Sequence, residues 1–336
     1  MRKFTIVTII LDILVAICFF VFYGPFESFR NNIISTALST KTHGYIAYVF
    51  YSEDQVAKVS QANSYIPFTE SVNTDDVVIN TQPKTSYDNE YDEAVLTRDA
   101  GNNDYKLIDI KVGSYDAHLV AIYNPTKVHL ITSKVFNTSN NAGSETITKM
   151  CKRVGGTVCI NGGGFADPDG WGSDIPMGYL IKDGKIIWSE NDNKADLIGF
   201  TKEGKLLLIN ATGEEAIKQG MYEALQFGPF LMVNGKRLQF NSSAGGYSRA
   251  ARVAIAQRKD GVVLFLVTEG VHSKGPSLTE VIDTLEKYGA YNAANLDGGT
   301  SAQLVINNKL INTPLNVYGQ VITGGRACVS GFALIK

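Results

Sequence analysis

Four short stretches of this chain set polar side chains beside glycines. They are Asn161 before Gly162, Gly163 and Gly164; Arg252 at the head of RVAIAQ; Glu269 and His272 closing LFLVTEGVH; and Asp297 before Gly298 and Gly299. Carboxylates and an arginine at the ends of buried strands suit a sugar or phosphate site, because rigid strands fix positions while loops admit a ligand. The glycine pairs add main-chain N–H groups that no side chain obstructs. Each residue also has an ordinary structural role open to it: Arg252 as a rim ion pair, Glu269 as an edge charge, Asp297 as a turn acid bonded to its own backbone. Glu280 is fully accounted for by its place in a helix cap.

Other constellations are weaker. His43, His118, His129 and His272 lack the spacing of a histidine metal cage or a Ser-His-Asp triad. ADPDGWGSD, with Asp167, Asp169 and Asp174, has a calcium-loop flavour, but Trp171 falls where an oxygen ligand belongs and no Glu closes the loop. A solvated turn is the better reading, no cofactor is expected, and a divalent metal stays open. NGGGF lacks the spacing and the Lys of a P-loop. Of the four cysteines, Cys151 and Cys159 either pair across a helix-to-strand turn or stay as buried thiols, and Cys328 is left alone in both cases.

The elements that must position these residues are mainly strands. DYKLIDIKV, AHLVAIYN and VHLITSKVF alternate apolar and polar residues as half-buried strands do. YLIKDGKIIW, GFTKEGKLLLI, LMVNGKRLQF, AQRKDGVVLFLV and LVINNKLIN each set a turn dipeptide between β-forming runs, predicting type I′ hairpins and a largely antiparallel sheet. Two helices are predicted: SETITKMCKRVGG, from about Ser144, and PSLTEVIDTLEKYGA, capped by Ser277 and Glu280. After each comes a glycine stop, a short strand, a polar residue and a glycine pair. Two loops of this kind would either face one pocket or serve as tight exits from buried strands.

A chain of 336 residues with 44% hydrophobic composition carries a packed core in one large or two smaller domains. The formal charge of −2, with no basic stripe, argues against a nucleic-acid partner. Arg2 and Lys3 precede FTIVTIILDILVAICFFVFY, about the length that crosses a bilayer as a helix, with the basic residues on the inner side. A cleaved signal peptide is the rival, but the apolar run is long and no small-residue cleavage site follows. Cys18 follows the bulky Ile17, which disfavours lipid attachment. The expected layout is a transmembrane signal anchor over 1–23, an extracytoplasmic stalk with short helices over 24–103 and an α+β domain over 104–336. That domain is expected to be a mainly antiparallel or mixed sheet with a few packed helices. The whole would be a single-pass cell-membrane protein with its working domain outside the cytoplasm.

In their order along the chain, NGGGF, FGPFLMVNGK, RVAIAQRKDGVVLFLVTEG and NLDGGTSAQLV resemble the phosphodiester glycosidase family, over roughly residues 104–336. The resemblance implies a hydrolase that cleaves the sugar–phosphate bond of a GlcNAc-1-phosphate type diester, in cell-surface glycan or exopolysaccharide. It carries the family's Asn-Gly-Gly onto Asn161, Gly162 and Gly163, its Gly-Pro onto Gly228 and Pro229, its Arg onto Arg252, and its Asp-Gly-Gly onto Asp297, Gly298 and Gly299. Two departures stand out: Glu269-Gly270-Val271 where the family often has Asp-Gly-Arg, and Thr300-Ser301-Ala302 in place of a glycine-serine loop. His272 or Lys274 would then supply the missing positive charge. On this reading Asp297 is the nucleophile or general base, Glu269 its partner and Arg252 the phosphate ligand. Asn161, Gly162, Gly163, Gly228, His272, Gly298, Gly299, Thr300 and Ser301 contact substrate. A non-catalytic glycan-binding or assembly protein, and a phosphodiesterase cutting the other P–O bond, are the competing readings.

Overall fold

A computed structural model describes residues 2–39, 44–138, 143–167, 173–241, 249–270 and 274–336. His43, Asp169, Trp171, Val271 and His272 lie outside the described residues. The chain up to Ser64 belongs to one compact unit, and Tyr65–Gln239 with Arg249–Lys336 to a second.

In the first unit, one helix among the described residues, Arg2–Tyr23, is long and apolar enough to cross a membrane, and its side chains from Thr5 to Phe20 are exposed. Helices Glu27–Ser39, Tyr45–Phe50 and Glu53–Asn63 follow, and close on a small core of Ile34, Ala47, Tyr51, Val56 and Val59. Ser52 caps the last of these helices, exchanging hydrogen bonds with Gln55.

The larger unit starts earlier than the expected boundary at residue 104. Val78 and Asn80 donate their N–H groups to the carbonyls of Lys259 and Asp260, each at 2.9 Å. Helix Glu90–Leu96 sets Asp92 against Arg258, and Val77, Val95 and Leu96 are buried. Main-chain and ionic contacts of this kind leave no apolar periodicity, so the stretch reads as a spacer although Tyr65–Asn103 packs on the domain.

Three antiparallel sheets form the main body, giving the expected α+β class. The first runs edge to edge through Lys236–Arg237, Phe230–Val233, Ala290–Leu296, Val253–Arg258, Val263–Thr268, Tyr115–Ile122 and Tyr105–Val112. The second runs through Lys309–Leu310, Leu304–Ile306, Gly156–Asn161, Ser330–Ile335 and Val128–Thr132. The third orders Leu206–Ala211, Ala195–Thr201, Met221–Gln226, Tyr179–Lys182 and Lys185–Ser189. Ile255, Phe265 and Leu296 from the first, Ile160 and Phe332 from the second and Leu180 and Leu208 from the third share one core.

All five hairpins form. Asp183-Gly184, Asn234-Gly235 and Asn307-Asn308 take positive φ at both positions, as type I′ turns require. At Gly204 and Gly261 the turn is longer, and only the glycine has positive φ. The first predicted helix starts at Ile147, later than Ser144, because Thr146 accepts the Lys149 N–H and acts as its cap; it stops at Gly155, φ +70°. The second spans Leu278–Lys287 with the Ser277–Glu280 capping box in place. Cys151 and Cys159 are joined as a disulfide, which ties the first helix to the strand that follows it.

Candidate active site

Strands Gly156–Asn161 and Ala290–Leu296 lie in different sheets, yet their exits meet. The Asp297 N–H donates to the Gly162 carbonyl at 2.8 Å, and Asn161 Nδ2 donates to the Asp297 carbonyl at 2.6 Å. Asn161 Oδ1 accepts the Gln303 N–H at 2.9 Å, so one side chain, 1% exposed, clamps both loops. Only glycines allow this approach. A Cβ at Gly162 would fall 2.3 Å from Leu225 Cδ2, and one at Gly298 would fall 2.4 Å from the Ala251 carbonyl oxygen. The Gly163 N–H donates to Ser330 Oγ at 3.1 Å, and the Gly299 N–H to the Ala251 carbonyl at 2.7 Å, so both are already engaged.

At this junction the Asp297 carboxyl is pushed up to about 7 by burial, against the stabilising hydrogen bonds of Ser301 and the Gly298 N–H. The Cys328 thiol is raised as well, first by burial and then by the Asp297 charge, with Arg326 acting in the opposite sense. Asp297 and Arg326 therefore act on one buried sulfur. Arg326 pairs with Asp167, its guanidinium lies 5.0 Å from the centroid of the Phe165 ring, and burial lowers its pKa. Arg326 Nε and Gln303 Oε1 are buried with no hydrogen-bond partner among the described residues.

Arg252 stands one residue before the pairing of Val253 with both Leu296 and Val267, which sets it level with Asp297 and Thr268. Its N–H donates to Thr268 Oγ1 at 2.8 Å and its Nε to the Pro276 carbonyl at 3.2 Å, so the side chain runs toward the N-terminus of helix Leu278–Lys287. Burial first, then Arg249, pushes its pKa down to about 10. Arg249 itself donates to Glu280 Oε2 at 3.0 Å, a second duty for the capping carboxylate.

Glu269 takes part in a different set of contacts. Its carboxylate accepts the Thr313 N–H at 3.0 Å and stands 3.7 Å from His118 Nε2, while His118 Nδ1 lies 2.7 Å from Asp109. Glu269 and then Asp109 hold the His118 pKa above its usual value. Gly228 precedes Pro229 through a cis peptide, and its carbonyl accepts Asn295 Nδ2 at 2.9 Å. Thr300 and Ser301 form a short 3-10 turn with Gly299, φ +57°; Ser301 is buried and Thr300 half-buried.

Sequence reasoning missed Arg326, Gln303 and Asn295. Arg326 follows Gly324-Gly325 just before the short strand Ala327–Cys328, a polar residue beside a glycine pair as in the other loops but in the reverse order. Asp174 of the suspected calcium loop accepts the N–H groups of Thr138 and Gly143. Among the described residues no group of three His, Cys, Asp or Glu side chains is placed to hold a metal ion.

Comparison with known proteins places the chain in a family. Residues 155–334 match the family model described as phosphodiester glycosidase. The SPbeta prophage-derived uncharacterized protein YomE of Bacillus subtilis is 30% identical over 193 residues, 54% of this chain and 28% of that protein. The N-acetylglucosamine-1-phosphodiester alpha-N-acetylglucosaminidases of Bos taurus and Homo sapiens are 25% and 26% identical over 186 residues. Those matches cover 50% of this chain and 34% and 35% of the relatives, so the matched stretch spans about a third of their length. The zebrafish enzyme's catalytic domain, auto-inhibited by its pro-peptide, superposes with a TM-score of 0.56 at 19% identity, covering 69% of this chain and 82% of that one. With its glycine loops, its antiparallel sheets and more than half its length matched, the chain belongs to the phosphodiester glycosidase family.

Proposed function

We propose that this chain hydrolyses the bond between the anomeric carbon and a phosphate oxygen in a sugar-1-phosphodiester of GlcNAc-1-phosphate type. The substrate is a cell-surface glycan or exopolysaccharide, met outside the cytoplasm by a domain that the N-terminal helix holds at the membrane. The observation that carries the reading is the Asp297 carboxyl, half-buried at the junction of two glycine loops, its pKa pushed up to about 7 by desolvation. A base poised near pH 7 is suited to activate water. Water loses a proton to Asp297 as its oxygen bonds the anomeric carbon. The carbon–oxygen bond to phosphate breaks, and its electron pair leaves on the phosphate as a monoester.

Phosphate leaves readily, so the main further task is to hold its charge. Arg252, with its planar guanidinium, remains the expected phosphate ligand, and Arg326 joins it because an unsatisfied buried Nε is a donor in waiting. Glu269, fixed by Thr313 and His118, serves as the second carboxylate. Thr300 and Ser301 border the site, and His272 completes the predicted contacts. The departure at Ala302 does not favour a binding-only protein, because that side chain is 1% exposed and belongs to the core.

Product analysis tests the reading. Incubation with a GlcNAc-1-phosphodiester should release free sugar and a phosphomonoester. Sugar phosphate as product would make the chain a phosphodiesterase, and binding without any product would make it a glycan-binding protein.

A further inference from the structure

Beside the Gly162–Gly164 loop lies a cleft of about 420 Å³ lined by Tyr65, Asp196, Asn210, Gln226 and Phe227, with Gly164 and Gly228 on its wall. Its size falls in the range of small-molecule sites, roughly 300–1,000 Å³. Two of its wall residues belong to segments that meet Asp297: Gly164 ends the loop whose Gly162 carbonyl accepts the Asp297 N–H, and Gly228 bonds Asn295, two residues before Asp297. Gly228, whose carbonyl accepts Asn295 Nδ2, lies so close to Asp196 that a Cβ there would stand 3.1 Å from Asp196 Oδ2. At Gly163 a Cβ would stand 3.1 Å from the Gln226 carbonyl oxygen, and at Gly164 it would meet the Phe227 ring at 3.4 Å.

The lining carries one charged side chain, the Asp196 carboxylate, and no lysine or arginine. A phosphate would be repelled there. Asp196 Oδ1 accepts Asn210 Nδ2 at 2.7 Å, which fixes a carboxylate beside an amide. Such a pair offers acceptors and a carbonyl to neighbouring hydroxyls, and Phe227 and Tyr65 supply rings on which the apolar face of a sugar can rest.

We infer that this cleft is a carbohydrate subsite that takes a neutral, hydroxyl-rich ring on one side of the phosphodiester, with Asp196 as its main acceptor. The inference rests on the hydrolase reading above and names the part of the substrate that the Asp297 and arginine centre leaves unheld. A neutral ring is present on either side of such a diester: the sugar at the anomeric carbon, or the alcohol that leaves with phosphate.

The test compares the full-length chain with Asp196→Asn and Phe227→Leu on two diesters of GlcNAc-1-phosphate, one with methanol and one with a hexose hydroxyl. The subsite predicts a KM raised about tenfold, the loss of one good hydrogen bond or ring contact, with kcat within about twofold. A rise on both substrates assigns the cleft to the anomeric sugar, and a rise on the hexose diester alone assigns it to the leaving sugar. Unchanged KM on both, with thermal melting intact, overturns the proposal. If the wild-type chain turns over neither diester, the hydrolase reading has failed by itself. Saturation-transfer NMR with free GlcNAc and free hexose then decides on the cleft: a sugar signal lost in Asp196→Asn supports it, and an equal or absent signal in both chains overturns it.

Discussion

At the scale of single residues, Asp297 does two opposing things with one proton. As the proposed base it would work only when ionised, so kcat/KM should rise with pH through about 7 and then level off. Ser301 stabilises the ionised form, so Ser301→Ala should move that limb to higher pH, and an unmoved limb would detach Ser301 from the carboxylate. Stability runs the other way. An unfolded Asp titrates near 3.9, so between about pH 4 and pH 7 the folded chain keeps a proton that the unfolded chain has lost, and this group's contribution falls as pH rises. Asp297→Asn should therefore gain in melting temperature over wild type by more at pH 8 than at pH 5; an equal gain would mean that the carboxyl is not held in a desolvated place. Asp297 was legible as a candidate because strand and glycine pair stand next to it in sequence. The clamp formed by Asn161 and the buried guanidinium of Arg326 were not, since both arise from strands more than a hundred residues apart in the chain meeting at one corner.

At the scale of elements, local rules read well. Asp-Gly and Asn-Gly turns, the Ser277–Glu280 cap and the left-handed stop at Gly155 all depend on neighbours within a few positions, which a sequence displays directly. What the sequence left open was the state of two cysteines eight positions apart. The disulfide closes a short loop, and the chain-entropy relation gives about 2.5 kcal/mol for it. Paired Cys151→Ser and Cys159→Ser substitutions should lower unfolding stability by about that amount. Gly156 has no room for a side chain beside the bridge, with a Cβ placed 2.7 Å from Cys159 Sγ. Urea melts of oxidised wild type and the double variant that coincide would show that the bridge adds no stability.

At the scale of the whole molecule, the boundary of the larger unit was the least legible feature. The stretch from Tyr65 to Asn103 is polar, and its attachment is by main-chain hydrogen bonds and by Asp92, which shares Arg258 with Asp260. Burial alone would disfavour the charge on Arg258, but Asp260 and Asp92 hold its pKa above the usual value. Arg258→Ala would strand two carboxylates and should cost about 3–5 kcal/mol, read by chemical denaturation; a loss below about 1 kcal/mol would mean that this trio does not hold the segment. The family and the antiparallel α+β architecture were legible through the order of several weak motifs, none decisive alone. The central claim is that this architecture brings a titrating carboxylate to a sugar–phosphate bond. Its most direct test is the rate of free sugar release from a GlcNAc-1-phosphodiester by the full-length chain and by Asp297→Asn, which changes charge but little shape. The account predicts a loss of about 10²–10⁴-fold in kcat with cooperative folding retained and a melting temperature no lower than wild type. Wild-type turnover in the variant would contradict it.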